Sequence, residues 1–376
     1  MFQILPTLIF IRPFISSLAF PYVNLAISTF LLIALLIWLF QKGLPQEKLI
    51  SLRVPLFLLL LGLVLSVVCS INKDQSYFEL YKYVIGLLLF AWGISLAEER
   101  KKQVILLIVW AGVIISILAI YQYFWGFRHM LTYVQKNKLT NTFMFDYILS
   151  KRVFFPFITP NILCGYLAMI IPLALSQKNK LLFVAPLVTA LLLTASLGGF
   201  LSFCAGVSVY YWLTAKNRKK TFLILGASCL ALSAAILGIR LLTHQTHQLP
   251  SFSGAMRLNY WLETLKIIAH SPLTGVGPGN FNLPTARFAH NSYLQIWAES
   301  GIITLIGFIL LIQRMLWPPT PKTQKFYFTP LSAGIYAAII SFLCHNLIDF
   351  SFFLPEIVFL WWVILGMSYR AKQNAL

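Results

Sequence analysis

Arg257 and His290 carry the side-chain types and have the neighbours for chemistry on an anionic substrate with a reactive hydroxyl. Arg257 falls in the first turn of a segment with helical periodicity, SFSGAMRLNYWLETLKIIAH. A guanidinium offers a planar fork of donors that grips phosphate oxygens in two places at once and keeps its charge near apolar surroundings. An interfacial arginine paired with lipid headgroups satisfies the same spacing. His290 stands where a long polar segment meets an apolar run, just before the helix-starting residues Asn291 and Ser292. An imidazole there can take a proton from a hydroxyl near neutral pH, and a purely structural histidine is the other reading. Glu299 follows nine residues later, roughly 900° around a helix at about 100° per residue, so it faces away from His290. A carboxylate so deep in an apolar run either serves function or holds a helix junction through a polar partner. His345 and Asp349 are four apart and share a helical face, so Asp349 orients the imidazole or simply bonds to it.

The remaining motifs are weaker. TGVGPGNF holds Gly275, Gly277 and Gly279, but no strand precedes it, and a phosphate-cradling glycine loop needs strand, turn and helix in that order. The glycines read better as a tight turn re-entering toward the membrane. His244 and His247 are three apart with no further ligand and no HExxH context, so no metal site is expected. No P-loop and no nucleophile elbow occurs.

The elements that must position these residues are apolar. Of 376 residues, 59% are hydrophobic and 10% charged, with mean hydropathy +0.81, which excludes a soluble globular class. Apolar runs fall near 4–20, 24–40, 54–70, 80–97, 103–125, 159–176, 181–196, 199–214, 221–243, 291–312, 329–346 and 355–369. The fold class expected is therefore all-α: a polytopic helical membrane protein of about twelve transmembrane helices, read as one integral domain over 1–376. Some runs are short for a span, and 181–214 also reads as one broken helix pair around Gly198 and Gly199. Lys42, Lys48, Arg53, Arg100, Lys101, Lys102, Lys178, Lys180, Lys216, Arg218, Lys219, Lys220, Arg314, Lys322, Lys325, Arg370 and Lys372 alternate onto one side, which predicts cytoplasmic termini. The opposite side receives the long segments 126–158 and 244–290 and the short joint from His345 to Pro355.

Those two long segments hold eight basic residues, Arg128, Lys136, Lys138, Lys151, Arg152, Arg257, Lys266 and Arg287, against Asp146 and Glu263. Positive-inside topology does not explain that surplus, and it points to an anionic partner such as a phosphate-bearing lipid. Most of the basic residues are accounted for as topology signals beside apolar spans, so nucleic acid is not expected. Within 244–290, Met256, Tyr260, Trp261, Leu265 and Ile268 form an apolar stripe, and 254–269 is expected to be an amphipathic helix at the membrane interface. Cys69, Cys164, Cys204, Cys229 and Cys344 sit in apolar stretches with no CxxC spacing and read as small core residues.

GVGPGNF leading to AHNSYLQIWAESGIITLIGF, then HNLIDFSFFLPEIVFLWWVILG, resembles the C-terminal half of the O-antigen ligase and polymerase superfamily. Upstream, RVFFPFITPNILCGYLAMIIPLAL resembles that family's segment in which a PN dipeptide, here Pro160 and Asn161, opens a span. The resemblance runs from about Arg152 to the C-terminus. It implies a membrane glycosyltransferase of the bacterial inner membrane, which moves a glycan from undecaprenyl diphosphate to an acceptor on the extracytoplasmic face with neither nucleotide nor metal. The family's arginine and loop histidine match Arg257 and His290. Arg257 would then hold the diphosphate and His290 would activate the acceptor hydroxyl. One departure is clear: the family often carries an arginine after serine where this chain reads TASLGGF, with Leu197 in its place. Arg152, Arg240 or Arg287 are the candidates to supply that charge, and Glu299, His345 and Asp349 complete the expected substrate-binding set.

The lead expectation is a ligase joining O-antigen to lipid A core. A polymerase extending the glycan, or a transferase acting on protein, shares the chemistry. A transporter would suit a dozen spans with Glu299 and Asp349 inside them, but no internal repeat is evident and the polar residues gather at one face. A non-catalytic scaffold would not need Arg257 and His290 to converge.

Overall fold

The computed structural model describes residues 3–137, 148–215, 252–284, 286–317 and 328–369, with isolated positions between 220 and 238. Every regular element among them is helical. Arg240, His244, His247, Cys229 and most of the expected ninth span lie outside the described residues. The helices are α1 (Ile4–Ile11), α2 (Pro21–Lys42), α3 (Gln46–Ile50), α4 (Arg53–Val68), α5 (Lys73–Ser95), α6 (Glu98–Tyr121) and α7 (Phe127–Lys136). After these come α8 (Pro160–Leu175), α9 (Lys180–Leu193), α10 (Leu197–Thr214), α11 (Phe252–His270), α12 (Ser292–Leu316), α13 (Pro330–His345) and α14 (Pro355–Met367).

Among the described residues, five helical stretches are long and apolar enough to cross a membrane: α2, α5, Glu98–Lys136, α10 and α12. α4, α8, α9, α13, α14 and Ile4–Phe14 are shorter apolar helices. Two expected boundaries change. The run 4–20 is no continuous helix, because α1 gives way at Arg12–Phe14 to a tighter turn holding Pro13. Segment 126–158 does not open as a loop, because α6 continues into α7 through a wider turn at Gln122–Gly126.

α8 and α14 sit at the centre. Almost every residue of α8 and every residue of α14 is buried, whereas α2 turns Tyr22, Phe30 and Phe40 outward. An apolar helix exposed in this way suits lipid, which solvates such side chains. Small residues set the closest crossings: a Cβ on Gly93 of α5 would lie 2.6 Å from the Val363 carbonyl of α14, and one on Gly307 of α12 would strike the backbone of Leu59 in α4. Cys164 and Cys204 are core residues as expected, but Cys69 caps the end of α4 and is exposed. Buried Arg12 bonds Asn24 and the Ile15 carbonyl and lies 3.8 Å from Glu356, which also accepts the Ser17 amide. The N-terminal turn is thereby tied to the start of α14.

The two ends of the bundle differ. Lys48 donates to the Ile94 carbonyl, Tyr210 to that of Leu175 and Tyr336 to that of Met315, so the ends bearing Lys42, Arg100, Lys180 and Arg314 gather together. The starts of α8, α10, α12 and α14 gather at the other end with α11 and the glycine-rich loop.

Gly301 is the pivot of that second end. It breaks α12 with φ +75, ψ 170, freeing the carbonyls of Ala298 and Glu299, which accept the amides of Val276 and Gly277. Gly275 and Gly277 take positive φ to make that approach. A Cβ on Gly301 would collide with the Leu273 carbonyl. Gly301→Ala is therefore expected to cost about 3 kcal/mol or more, from a backbone region reserved for glycine together with the clash. Thermal unfolding of the detergent-solubilised protein, followed by size-exclusion chromatography, checks this; an unchanged midpoint would show that the break is not built on glycine.

Candidate functional site

His290 closes the loop that leads into α12. Its ring is partly buried, stacks on Tyr260 of α11 at 5.7 Å between centroids and meets Phe350 edge-on at 4.8 Å. Its carbonyl accepts from the indole of Trp261 at 3.4 Å. Its Nδ1 is buried, and no hydrogen-bond partner for it occurs among the described residues. An unpaired buried polar atom is costly and is retained where a partner arrives later or chemistry requires it. The backbone at His290 is left-handed, φ +51, and the other two such non-glycine residues among those described, Lys151 and Ala195, flank Arg152 and Ser196 at the same end. Strain of this kind concentrates at functional sites.

Arg257 lies on the same helix as Tyr260 and Trp261, near enough for its charge to act on both His290 and His345. α11 spans Phe252–His270 and packs along α12, close to the expected 254–269. Its inward face carries Tyr260, Ile267 and Ile268 against Phe281, Leu283, Ala289 and Ala298. Leu265, placed on that stripe from the sequence, is instead exposed with Leu258 and Leu262. The helix thus has two apolar faces, because the spacing Leu258, Leu262, Leu265 traces its own stripe at helical period.

His345 and Asp349 approach to 3.7 Å between Nε2 and Oδ2, and both are buried. α13 ends at His345, so they meet across a helix end instead of along one face. His345 Nδ1 is 3.5 Å from the Ser202 hydroxyl, and the ring lies over Gly165, whose missing side chain makes room for it. Asp349 accepts the Phe350 amide, and its carbonyl accepts the Ser292 hydroxyl, which also donates to Asn346. The mouth of α12 is thus fastened to the joint after α13.

Arg152 stands across from this joint. It donates to the Thr194 carbonyl at 3.0 Å and to Asn161 at 3.3 Å, and Asn161 also accepts from Ser196 at 2.8 Å. The guanidinium therefore sits at the start of α10 beside Leu197, where the resemblance led one to expect an arginine. Gly198 of the same turn abuts Ile348, and Cys164 is within electrostatic reach of both Arg152 and Asp349. Arg152, Arg257, His290, His345 and Asp349 accordingly gather at one end of the bundle. Arg287 is at the same end but stands apart from the buried groups: it is exposed and lies 5.7 Å over the Phe288 ring. Glu299 also stands apart, accepting from Gly279 at 2.8 Å and from Gln295 at 2.9 Å, so it secures the glycine-rich loop to α12.

Sequence reading passed over Gln122, whose side-chain oxygen accepts the amides of Phe154 and Phe155 and so fixes the strand of chain following Arg152. A lone buried amide in the apolar stretch AIYQYF was the available signal.

Burial pushes the His290 imidazole below its ordinary value; the Asp349 charge raises it, and Arg257 lowers it further. The group is therefore neutral at pH 7 and able to accept a proton.

These features define a polytopic helical membrane protein with a basic, histidine-bearing site at one end of its bundle. Residues 182–309, about a third of the chain, match the family model described as O-antigen ligase, and over that stretch the chain is similar to that family. The match contains Arg257, His290 and Glu299, whereas Arg152, His345 and Asp349 lie outside it. No curated protein and no solved structure matches the chain.

Proposed function

We propose that this chain is a ligase of the bacterial inner membrane, with both termini cytoplasmic, that moves a glycan from undecaprenyl diphosphate to the lipid A core at the periplasmic face. The observation that carries the reading is the buried, unpartnered Nδ1 of a neutral His290 held between Tyr260 and Phe350 within the field of Arg257. The acceptor hydroxyl gives its proton to the imidazole as its oxygen attacks the anomeric carbon. The bond from that carbon to the phosphate oxygen breaks, and the diphosphate leaves with the electron pair. Arg257, with Arg152 in the place of the arginine absent at Leu197, offsets the charge on the leaving group. His345 and Asp349 hold the joint against which His290 packs. The donor arrives already activated as a diphosphate ester, so the step needs no nucleotide, and the arginines take the role a metal would fill.

The test is the lipopolysaccharide profile on gels of a strain lacking this gene, complemented with the wild type. Long-chain material absent from the core while lipid-linked glycan accumulates supports a ligase. Core capped by a single repeat marks a polymerase instead, and an unchanged profile rejects both in favour of another acceptor, such as protein.

The pH profile offers a second check. Because the His290 pKa lies below about 6.5, the ordinary histidine value, turnover in proteoliposomes is expected to stay level on acidification through that value and to fall below it with one proton. Asp349→Asn, which removes the charge that raises this pKa, should move the inflection to still lower pH. An inflection at or above the ordinary value would contradict the assignment.

A further inference from the structure

A cavity of about 860 Å³ opens at the same end of the bundle, on the far side of Phe288 from the histidine. α5 contributes Gln75, Glu79 and Lys82 to its wall, and the loop before α12 contributes Asn282 and Arg287. Phe78 and Phe288 add aromatic surface. Lys82 and Glu79 pair at 2.6 Å, so their charges are largely mutually satisfied. What the cavity then presents is a set of amide donors and acceptors, a neutralised ion pair, the Arg287 guanidinium over the Phe288 ring, and aromatic surface. Beyond Arg287 it offers no uncompensated cation among its lining residues, which is little to hold a bare phosphate with. It suits sugars, whose hydroxyls both donate and accept and whose C–H faces lie on aromatic rings.

The wall it shares with the histidine is thin. Phe288 lines the cavity and stacks on Phe350 at 4.1 Å and 4°, and His290 meets the same Phe350 edge-on. The floor is fixed, because Glu299 lines it while bonded to Gln295 and Gly279.

We infer that this cavity is a glycan-binding subsite, separate from the arginine–histidine cluster, that holds sugar rings of one substrate beyond the ring that reacts. The inference rests on the proposed transfer chemistry for its purpose, but binding tests it independently. The two sources of such a glycan are the acceptor and the lipid-linked donor. Water-soluble oligosaccharide released by mild acid from the producing bacterium's lipopolysaccharide serves as the acceptor probe. Oligosaccharide released from its lipid-linked pool serves as the donor probe.

Calorimetric titration of each probe into purified protein, compared with Gln75→Ala/Asn282→Ala, is expected to show binding of one of them weakened about tenfold, which is about 1.4 kcal/mol. Asn282→Trp, which fills the space, should weaken it in the same way. In proteoliposomes KM for the matching substrate should rise by the same factor while kcat moves little, and which substrate responds identifies the source. Binding lost without any transfer activity in the wild type would keep the subsite and reject the proposed reaction. Both probes binding equally to wild type and to both variants, or binding to none of the three, would overturn the subsite.

Discussion

His290→Ala is expected to lower transfer by a factor of about 10²–10⁴, the range over which a positioned proton acceptor acts, with lipid-linked donor still bound. The size follows from geometry: His290 carries a buried, unpartnered ring nitrogen at the α12 mouth. His345, the nearest alternative, also has a buried Nε2 with no hydrogen-bond partner, but that nitrogen faces the Asp349 carboxylate at 3.7 Å and its Nδ1 lies 3.5 Å from the Ser202 hydroxyl. Alanine also removes contacts with Tyr260 and Phe350 at a left-handed backbone position, φ +51, and so confounds chemistry with folding. His290→Asn separates the two, because asparagine tolerates that backbone but is no base. An Asn variant with wild-type melting temperature and a comparable loss of turnover would assign the effect to proton transfer. An Asn variant that still turns over at the wild-type rate would reduce His290 to a structural residue. Turnover should be measured with purified protein and extracted substrates, so that expression differences do not enter.

How much of this was legible in the sequence depended on the range of the interactions involved. α11 was predicted almost to the residue because its period is local, and its inward tyrosine and tryptophan lie where that period put them. The stripe failed at Leu265 because a helix with apolar residues on two faces has no single direction to assign. The glycine-rich loop was legible as a tight turn, but its partner was not: the carbonyls it bonds are freed by Gly301, a break inside what reads as one apolar span. Glu299 was legible as costly, either functional or holding a helix junction through a polar partner, but not which partners: Gln295 one turn earlier and the Gly279 amide. The first 125 residues read as generic, yet Ser70 and Ser76 anchor the loop, Ser66 donates to the Glu299 carbonyl, and Gln75 and Lys82 line the cavity. Each of those serines is a single polar residue whose partner lies some two hundred positions away, and no local pattern reports such a pairing. Arg152 shows the converse. It was one of three candidates for a missing charge, and only the fold sets it beside Leu197.

Arg257→Ala is expected to reduce transfer by about ten- to a hundredfold, the equivalent of one charge-assisted contact of roughly 1.5–3 kcal/mol. Arg257 is partly exposed near the start of α11, so its removal should leave the bundle intact and stability little changed. The loss should fall on kcat more than on KM for the donor if the guanidinium chiefly meets charge that develops on the departing diphosphate, because contacts stronger in the transition state than in the ground state act there. Arg257→Lys sharpens the test. Lysine keeps the charge but not the fork, so partial recovery separates a simple field effect from two-point grip on phosphate oxygens. Replacing Arg257 also removes a charge that holds the His290 pKa down, so the acid limb of the pH profile should move upward in the alanine variant. A variant with reduced turnover and an unmoved acid limb would mean that arginine and histidine act apart. Both effects together, measured on one preparation, would make them one site.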